Sequence, residues 1–205
     1  MERRFFELTE LRADTSGDAP AIVGYAAVFN VLSNELWGFR EKIAPGAFAA
    51  SVAEDDIRAL WQHDTAHVLG RTKSGTLRLV EDEVGLQVRI TPPDTQAGRD
   101  ALISIGRGDV DAMSFGFRTL DDEWEEKADG LVVRTLKKAK LYEVSPVTFP
   151  AYSATTVGVR GEGLGERVEI PAGVLRAQTQ ADYEGEALRA QAERERAIRF
   201  FSYGD

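Results

Sequence analysis

The sequence predicts a mainly β fold with a few helices, and three observations lead to this prediction. Short apolar runs alternate with polar residues, as expected where every second side chain of a strand faces a core. Gly, Pro, Asn and Asp repeatedly interrupt these runs, which is typical of turns between short strands. The 205 residues, 43% of them hydrophobic and 29% charged, suffice for one well-packed domain plus an appendage.

Eight segments have the composition of strands, and all of them lie before residue 160. They combine β-branched, aromatic and aliphatic residues in short runs that end at turn-forming residues. These segments are residues 3–11, 21–29, 57–63, 76–79, 86–91, 112–120, 131–141 and 141–147. Seven or eight short strands indicate a barrel or a sandwich. The acidic run 121–126, followed by the turn dipeptide Asp129-Gly130, is interpreted as a solvated hairpin end without chemistry.

Two helices are predicted within the same region. Residues 45–53 begin with proline, which is favourable at the first helical position, and continue with good helix formers. A second helix covers residues 95–107, with Asp94 or Thr95 as its N-cap and Gly108 ending it. Its apolar stripe consists of Ala101, Leu102 and Ile105.

The composition changes after residue 160. Residues 161–173 are rich in glycine and contain a Pro-Ala-Gly break, which is typical of a flexible linker. Residues 174–205 are rich in Ala, Arg, Gln and Glu, and their apolar positions are too sparse to maintain a heptad. We therefore predict a folded domain over residues 1–160, a linker over 161–173, and an accessory helical or partly disordered arm over 174–205.

The composition also excludes several classes of function. Without cysteine the chain has no disulfides, no thiolate catalysis and no Cys-ligated metal site. A formal net charge of −9 argues against sequence-independent binding to nucleic-acid phosphates. No run approaches the roughly 18 apolar residues of a membrane span, and no basic segment followed by an apolar stretch opens the chain. We therefore expect no nucleic-acid partner, no membrane insertion and no secretion.

The only two histidines, His63 and His67, lie four residues apart. If the strand 57–63 extends through His63, Asp64 points to the opposite face and is poorly placed to orient that imidazole. A metal site at this spacing needs a helix, and Gly70 with the surrounding β pattern argues against one. We expect His67 to be a hydrogen-bonded surface or half-buried group, whereas spacing alone leaves a structural and a catalytic role for His63 equally open.

The other two candidate residues are Ser114, which has a hydroxyl, and Glu143, which has a carboxylate. In the block Met113-Ser114-Phe115-Gly116-Phe117, alternation turns the bulky residues to the core and leaves Ser114 on the other face, with open space around it. Taken alone, a serine on the solvent face explains this pattern better than a nucleophile. Glu143 interrupts an otherwise apolar strand, where a charge is costly unless paired. An imidazole would suit as its partner, and the plainer alternative is a surface salt bridge to Lys140 or an arginine.

Six blocks of the sequence, taken together, resemble a known family. They are residues 24–30 (Gly-Tyr-Ala-Ala-Val-Phe-Asn), 43–48 (Ile-Ala-Pro-Gly-Ala-Phe), 61–64 (Trp-Gln-His-Asp), 69–72 (Leu-Gly-Arg-Thr), 113–117 (Met-Ser-Phe-Gly-Phe) and 143–152 (Glu-Val-Ser-Pro-Val-Thr-Phe-Pro-Ala-Tyr). The blocks resemble the prohead, or capsid maturation, proteases of tailed bacteriophages and prophages, a family related in fold to herpesvirus assemblin. The resemblance extends from about Phe5 to Arg160 and does not include the arm.

This resemblance implies an assemblin-like closed or partly open barrel of about seven strands with packed helices over residues 1–160. It also implies a serine endopeptidase, without cofactor or metal, that cleaves the scaffolding region of the major capsid protein and often itself. Such an enzyme acts inside the procapsid, in the cytoplasm of the bacterial host. We expect it to be a homo-oligomer, because proteases confined in capsids tend to act as dimers or higher assemblies.

The resemblance assigns roles to three residues. The nucleophile of the family falls on Ser114, and the general base falls on His63. Assemblin has a second histidine as third member, whereas the phage proteases have an acidic residue, which Glu143 matches. His67 is too close in sequence to His63 to replace a histidine contributed by a later strand. In this hypothesis His63 takes the proton of Ser114 Oγ, and Glu143 holds the other ring N–H.

Two other functions are compatible with the sequence. The first is a non-catalytic capsid assembly or scaffolding factor that keeps the protease-like barrel and binds coat subunits through residues 161–205. The second, with less support, is a metal-dependent hydrolase that combines His63, His67 and a carboxylate. The protease is the leading hypothesis, because Ser114, His63 and Glu143 each lie in a family-like block.

Overall fold

Ten strands and two helices follow one another in the part of the chain that the computed structural model describes, which is residues 1–6, 11–17, 19–148, 168–171 and 174. In order they are β1 (Glu2–Phe6), β2 (Arg12–Asp14), β3 (Ala21–Val28), β4 (Arg40–Ile43), α1 (Ala49–Glu54), β5 (Arg58–Trp61), β6 (Asp64–Arg71), β7 (Leu77–Glu81), β8 (Gly85–Ile90), α2 (Gln96–Arg107), β9 (Ala112–Glu126) and β10 (Val132–Val147). The prediction of a mainly β fold with a few helices is confirmed.

The strands form two sheets. The larger sheet has the order β1-β9-β10-β5-β6, with β4 also paired to β10, and it curls into a half-barrel. Strands β4 and β5 run parallel to β10, and the other pairs of this sheet are antiparallel. The smaller, antiparallel sheet has the order β2-β3-β8-β7. The β9–β10 hairpin is thus the centre of the larger sheet, with partners on both sides.

The hydrophobic core is built from both sheets and the helices. On β9, Met113, Phe115 and Phe117 are fully buried in it, as their alternation in the sequence predicts. The ring of Phe48 packs edge-on against Phe115, with the centroids 5.5 Å apart. Removing such aromatic surface from water is the main stabilising contribution of a small domain. Because the core takes one face of β9, the residues between these three side chains lie on the opposite face.

The longer helix agrees with its prediction, whereas the shorter one begins later. In α2 the hydroxyl of Thr95 accepts a hydrogen bond from the N–H of Gly98 at 3.2 Å, and Gly108 ends the helix at φ 78°. The prediction that a helix starts at Pro45 is wrong, since α1 starts at Ala49. Gly46 has φ 84°, a left-handed conformation that a right-handed helix cannot include.

Several strand boundaries differ from the sequence-based expectation. The predicted strands 131–141 and 141–147 are one continuous strand, β10. The acidic run 121–126 is the end of β9 in the β9–β10 hairpin, next to the turn that contains Asp129 and Gly130, as predicted. Strands β2, β4 and β6 were not predicted, which brings the described strands to ten instead of about seven. These three are short, charged or mostly exposed, so they lack the apolar alternation by which a strand is recognised in a sequence.

The chain divides into two units, Met1–Glu169 and Ile170–Asp205. Of the second unit only residues 170, 171 and 174 are described, and the N–H of Val174 donates to the carbonyl of Pro171 at 2.9 Å. The predicted linker over 161–173 and arm over 174–205 therefore lie almost entirely outside the described residues and stay predictions. None of the helices in the described ranges is long and apolar enough to cross a membrane.

A buried ionic cluster ties the first strand to the sheet; we use this name for Arg4, Arg134, Glu2 and Glu41. Glu41 is bound by Nε of Arg4 at 2.8 Å and by Nη1 of Arg134 at 2.9 Å. Glu2 is bound by Nη2 of Arg4 at 2.9 Å and by Nη1 of Arg134 at 2.6 Å. Burial disfavours the charge of Arg134, but its hydrogen bond to Glu2 and the charges of Glu41 and Glu2 raise its pKa above the ordinary value.

Candidate active site

The pairing of β9 with β10 assembles four side-chain positions on one face of the sheet. Ser114 lies opposite Ser145, and Gly116 lies opposite Glu143. Residues directly opposite each other in an antiparallel pair share a face, and residues two apart along a strand share it as well. This is the face turned away from the phenylalanines of β9, so the hydroxyl of Ser114 and the carboxylate of Glu143 project from the same surface.

A β-bulge at Tyr142 turns Glu143 toward this face. Leu141 pairs with Phe117 and Glu143 pairs with Gly116, so Tyr142 is an extra residue without a partner on β9. In a regular strand Leu141 and Glu143 would share a face, and the carboxylate would enter the core. Because of the bulge, Leu141 and Val144 both face the core while Glu143 faces the opposite side. Alternation in the sequence does not reveal this change of phase.

His63 lies in a tight turn and not on a strand. The strand β5 ends at Trp61, which pairs with Asp64, so that Gln62 and His63 form a two-residue hairpin loop. The prediction that a strand over residues 57–63 includes His63 is therefore wrong. Gln62 has φ 56° and His63 has φ 61°, both left-handed, as a type I′ loop requires. Each non-glycine residue in this conformation costs about 1–2 kcal/mol, so the loop carries backbone strain.

The turn brings His63 to Glu143 across 80 residues of sequence. Nδ1 of His63 lies 2.8 Å from Oε1 of Glu143, and their side chains are 16% and 6% exposed. Because a carboxylate only accepts, Nδ1 carries a hydrogen, and in the neutral ring the lone pair is therefore on Nε2. Among the described residues Nε2 makes no hydrogen bond. The imidazole partner that we expected for Glu143 is thus present in the structure, whereas Lys140, the alternative partner, is paired with Asp55.

The second oxygen of Glu143 is held by a serine that the sequence did not single out. The hydroxyl of Ser145 donates to Oε2 of Glu143 at 2.6 Å, and Ser145 is completely buried. The carboxylate is therefore bonded at both oxygens, as a buried charge requires. Ser145 lies two residues after Glu143 on the same face, and this spacing is the one signal that the sequence offered.

Ser114 is on the same face but is not open to solvent. It is 3% exposed, and its hydroxyl donates to the backbone carbonyl of Arg4 on β1 at 3.0 Å. The expectation of open space around Ser114 is therefore wrong. Within the described residues no hydrogen bond joins Ser114 to His63.

Gly116 makes room for the carboxylate of Glu143 beside Ser114. A Cβ atom at Gly116 would lie 2.5 Å from Oε1 of Glu143, closer than real Cβ contacts. Any larger residue at this position would have to displace the carboxylate that holds His63. The glycine of the 113–117 block is thus required because the side chain of Glu143 on β10 packs against it, and not because the chain turns there.

His67 lies apart from this arrangement. It is on β6 with its side chain 48% exposed, and its Nδ1 lies 2.8 Å from Oδ2 of Asp64. The backbone N–H of Ala66 and the imidazole of His67 lower the pKa of Asp64 below its ordinary value. Asp64 therefore pairs with His67 and not with His63. Among the described residues no group of three or more His, Asp or Glu side chains could hold a metal ion.

Comparison with known proteins adds one finding to this geometry. A family model described as caudovirus prohead serine protease matches residues 7–167. The matched range includes His63, Ser114 and Glu143 and begins just after β1. No curated protein and no solved structure matches the chain.

Proposed function

The chain belongs to the caudovirus prohead serine protease family, and we propose that Ser114, His63 and Glu143 are its nucleophile, general base and orienting carboxylate. Membership makes it a serine peptidase of phage capsid maturation, with capsid protein as its class of substrate. The finer proposal is that it cleaves the scaffolding region of the major capsid protein, and also itself, inside the procapsid of an infected or lysogenic bacterium.

The observation that carries the assignment is the pair of His63 and Glu143. A hydrogen bond of 2.8 Å holds the ring through Nδ1, so the lone pair of the neutral ring is on Nε2. An imidazole fixed in this tautomer accepts a proton at Nε2 without rearrangement, and the carboxylate stabilises the imidazolium that forms. The bond from Ser145 holds the carboxylate from its other side. His67 makes the same kind of contact with Asp64, but that pair is about half exposed, whereas the pair of His63 and Glu143 is largely buried.

The reaction then follows from ordinary acyl-transfer chemistry. Ser114 Oγ attacks the carbonyl carbon of the scissile peptide bond while its proton moves to Nε2 of His63. His63 returns this proton to the departing amine, and the acyl group stays on Ser114 as an ester. Water, deprotonated by the same nitrogen, hydrolyses the ester and frees Ser114. Glu143 keeps its charge throughout.

One rearrangement precedes attack. The hydroxyl of Ser114 donates to the carbonyl of Arg4 and has to turn to Nε2 of His63. Hydrogen bonds of free enzymes commonly tighten into the catalytic geometry only in the substrate complex. We therefore assign the described arrangement to the free enzyme.

Nothing in the described residues favours the alternative of a non-catalytic scaffolding factor, because that hypothesis depends on residues 161–205. The metal-dependent hydrolase loses its geometric basis, since His63 lies in a turn and His67 on a strand, each paired with a different carboxylate.

The direct test is co-expression with the unprocessed capsid protein of the same phage, followed by mass spectrometry of intact chains. We expect the wild-type protein to shorten the capsid protein and to react with a fluorophosphonate at Ser114. Ser114→Ala should do neither. Ser74→Ala, a change at an exposed serine outside the site, should behave as wild type. Complete processing by Ser114→Ala would refute the assignment of the nucleophile.

A further inference from the structure

We infer that Gln62 and Thr148 position His63, an inference that rests on the proposed role of this histidine as general base. Two side-chain hydrogen bonds join them, and we call this pair the clasp. Nε2 of Gln62 donates to Oγ1 of Thr148 at 2.7 Å, and the backbone N–H of Thr148 donates to Oε1 of Gln62 at 3.0 Å. In addition, the backbone N–H of Gln62 donates to the carbonyl of Pro146 at 3.1 Å.

The clasp lies beyond the end of the pairing between β5 and β10, at the turn that contains His63. Parallel pairing between β5 and β10 consists of Arg58 with Glu143 and Ala59 with Val144, and it ends there. His63 lies four residues beyond Ala59, yet its ring has to meet a carboxylate on β10. The three hydrogen bonds of Gln62 continue the attachment of this hairpin to β10 as far as the residue next to His63.

The strain of the loop makes such an attachment necessary. Gln62 is not a residue that favours left-handed φ, and the loop lacks the Asn-Gly sequence that stabilises a type I′ turn by itself. A strained conformation persists only where surrounding contacts over-determine it. Glu143 holds the side chain of His63, and the clasp holds Gln62.

A glutamine suits this place because its amide both donates and accepts. Thr148 presents a backbone N–H and a hydroxyl, and Gln62 satisfies both with one planar group. The clasp is at the surface, since Thr148 is exposed and Gln62 is half-buried. We therefore expect it to contribute little to global stability, and its main effect should be on the orientation of His63.

The test compares variants that remove the clasp at constant size. Gln62→Met removes both side-chain bonds, Thr148→Val removes the hydroxyl, and Thr148→Ser restores it. Tyr25→Phe is the matched control, because it deletes a similarly exposed bond, from Tyr25 to Asp82 at 2.7 Å, away from the site. The first readout is the rate at which a fluorophosphonate labels Ser114. We expect Gln62→Met to slow labelling on the order of 10- to 100-fold, since small misplacements of catalytic groups have effects of this size.

The second readout does not depend on catalysis. With two histidines in the chain, ¹⁵N NMR of the imidazoles shows two rings, and His67→Ala identifies the signal of His63. We expect wild type to hold the Nδ1–H tautomer of His63, and Gln62→Met and Thr148→Val to show a mixture of tautomers. Thr148→Ser and Tyr25→Phe should keep the wild-type spectrum, and the melting temperatures should stay within about 4 °C of each other.

The two readouts separate this inference from the proposed function. If wild type is neither labelled nor active, the proposed function fails, and the NMR comparison still decides whether the clasp orients His63. Wild-type labelling together with unchanged His63 signals and rates in Gln62→Met would overturn the inference and leave the protease intact. A loss of thermal stability in Gln62→Met without any change at His63 would overturn it equally.

Discussion

Two buried polar clusters lie on the same sheet, and they differ in one respect. In the ionic cluster each carboxylate of Glu2 and Glu41 is bonded to both Arg4 and Arg134, so its charges are mutually compensated. In the candidate active site Glu143 is likewise bonded at both oxygens, yet His63 keeps one ring nitrogen without a hydrogen bond among the described residues. A network whose charges are all paired has no group left to take up a proton, whereas an oriented imidazole nitrogen with a lone pair can do so.

The two clusters share the strand β1. The side chain of Arg4 belongs to the ionic cluster, and its backbone carbonyl accepts the hydroxyl of Ser114. The same residue therefore anchors the first strand and holds the proposed nucleophile in the free enzyme. This shared strand makes the ionic cluster a support of the site, although it takes no part in the chemistry.

The largest effects on activity and on stability are expected from one variant in each cluster. His63→Asn should lower the rate of capsid-protein cleavage on the order of 10⁴-fold, because the proposed general base is lost. Its free energy of unfolding should fall by only about 1–3 kcal/mol, because the carboxylate of Glu143 loses one of its two donors, while asparagine tolerates the left-handed φ of the loop. Arg134→Met should instead lower the free energy of unfolding by about 3–5 kcal/mol, because it leaves two buried carboxylates with too little positive charge.

Urea denaturation and a cleavage assay on both proteins make this comparison. Arg118→Met, at an exposed position of β9, controls for the loss of an arginine as such. A His63→Asn protein that cleaves at the wild-type rate, or an Arg134→Met protein as stable as Arg118→Met, would remove the distinction between the clusters.

A smaller and more specific effect is expected from the two hydroxyls that bind the carboxylates. Ser145 donates to Glu143 at 2.6 Å, and Thr119 donates to Glu2 at 2.5 Å. Ser145→Ala and Thr119→Val should each cost about 1–3 kcal/mol of stability, because a buried carboxylate loses a donor. Only Ser145→Ala should also reduce the labelling rate of Ser114, on the order of tenfold, since the orientation of Glu143 loosens. Equal labelling rates would show that Ser145 is structural alone.

The smallest effect on stability is expected from an exposed ion pair. Comparing it with the buried ionic cluster shows how much burial adds to the contribution of an ion pair. Asp56 is bound by Nη2 of Arg71 at 2.5 Å, and this hydrogen bond lowers the pKa of Asp56 from 3.8 to about 2. A carboxylate with a lowered folded-state pKa stabilises above its unfolded pKa and loses this contribution as the pH falls. The contribution of Asp56 should therefore be complete above about pH 5 and mostly lost by about pH 2.

Thermal unfolding of wild type and Asp56→Asn between pH 6 and pH 2 measures this contribution. The melting temperatures of wild type and Asp56→Asn should differ slightly at pH 6 and converge toward pH 2. At pH 6 this difference should be smaller than the difference between wild type and Arg134→Met. Parallel curves over the whole pH range would contradict the assignment of the lowered pKa to this pair.

The features that the sequence predicted correctly depend on neighbours within one or two turns of chain. The cap at Thr95 and the stop at Gly108 are local, and so is the alternation that turns Phe115 and Phe117 to the core. Glu143 was recognisable as a buried carboxylate in need of a partner, because its immediate neighbours are apolar. Such signals survive without knowledge of the fold.

The features that the sequence did not predict depend on how distant strands pair. The bulge at Tyr142 is a property of the register with β9, and the contact of His63 with Glu143 spans 80 residues. Ser145 and the clasp follow from the same register. The burial of Ser114 depends on β1, which pairs with β9 from the other end of the chain.

The sequence by itself determined the mainly β class, the longer helix, the family-like blocks and the three residue types of the proposed triad. The tertiary structure alone decided which nitrogen of His63 is engaged, which way Glu143 points and what the hydroxyl of Ser114 contacts. The reason is physical. Periodicity and capping act within a few residues, whereas the direction of a side chain in a sheet changes with a shift of one residue in pairing.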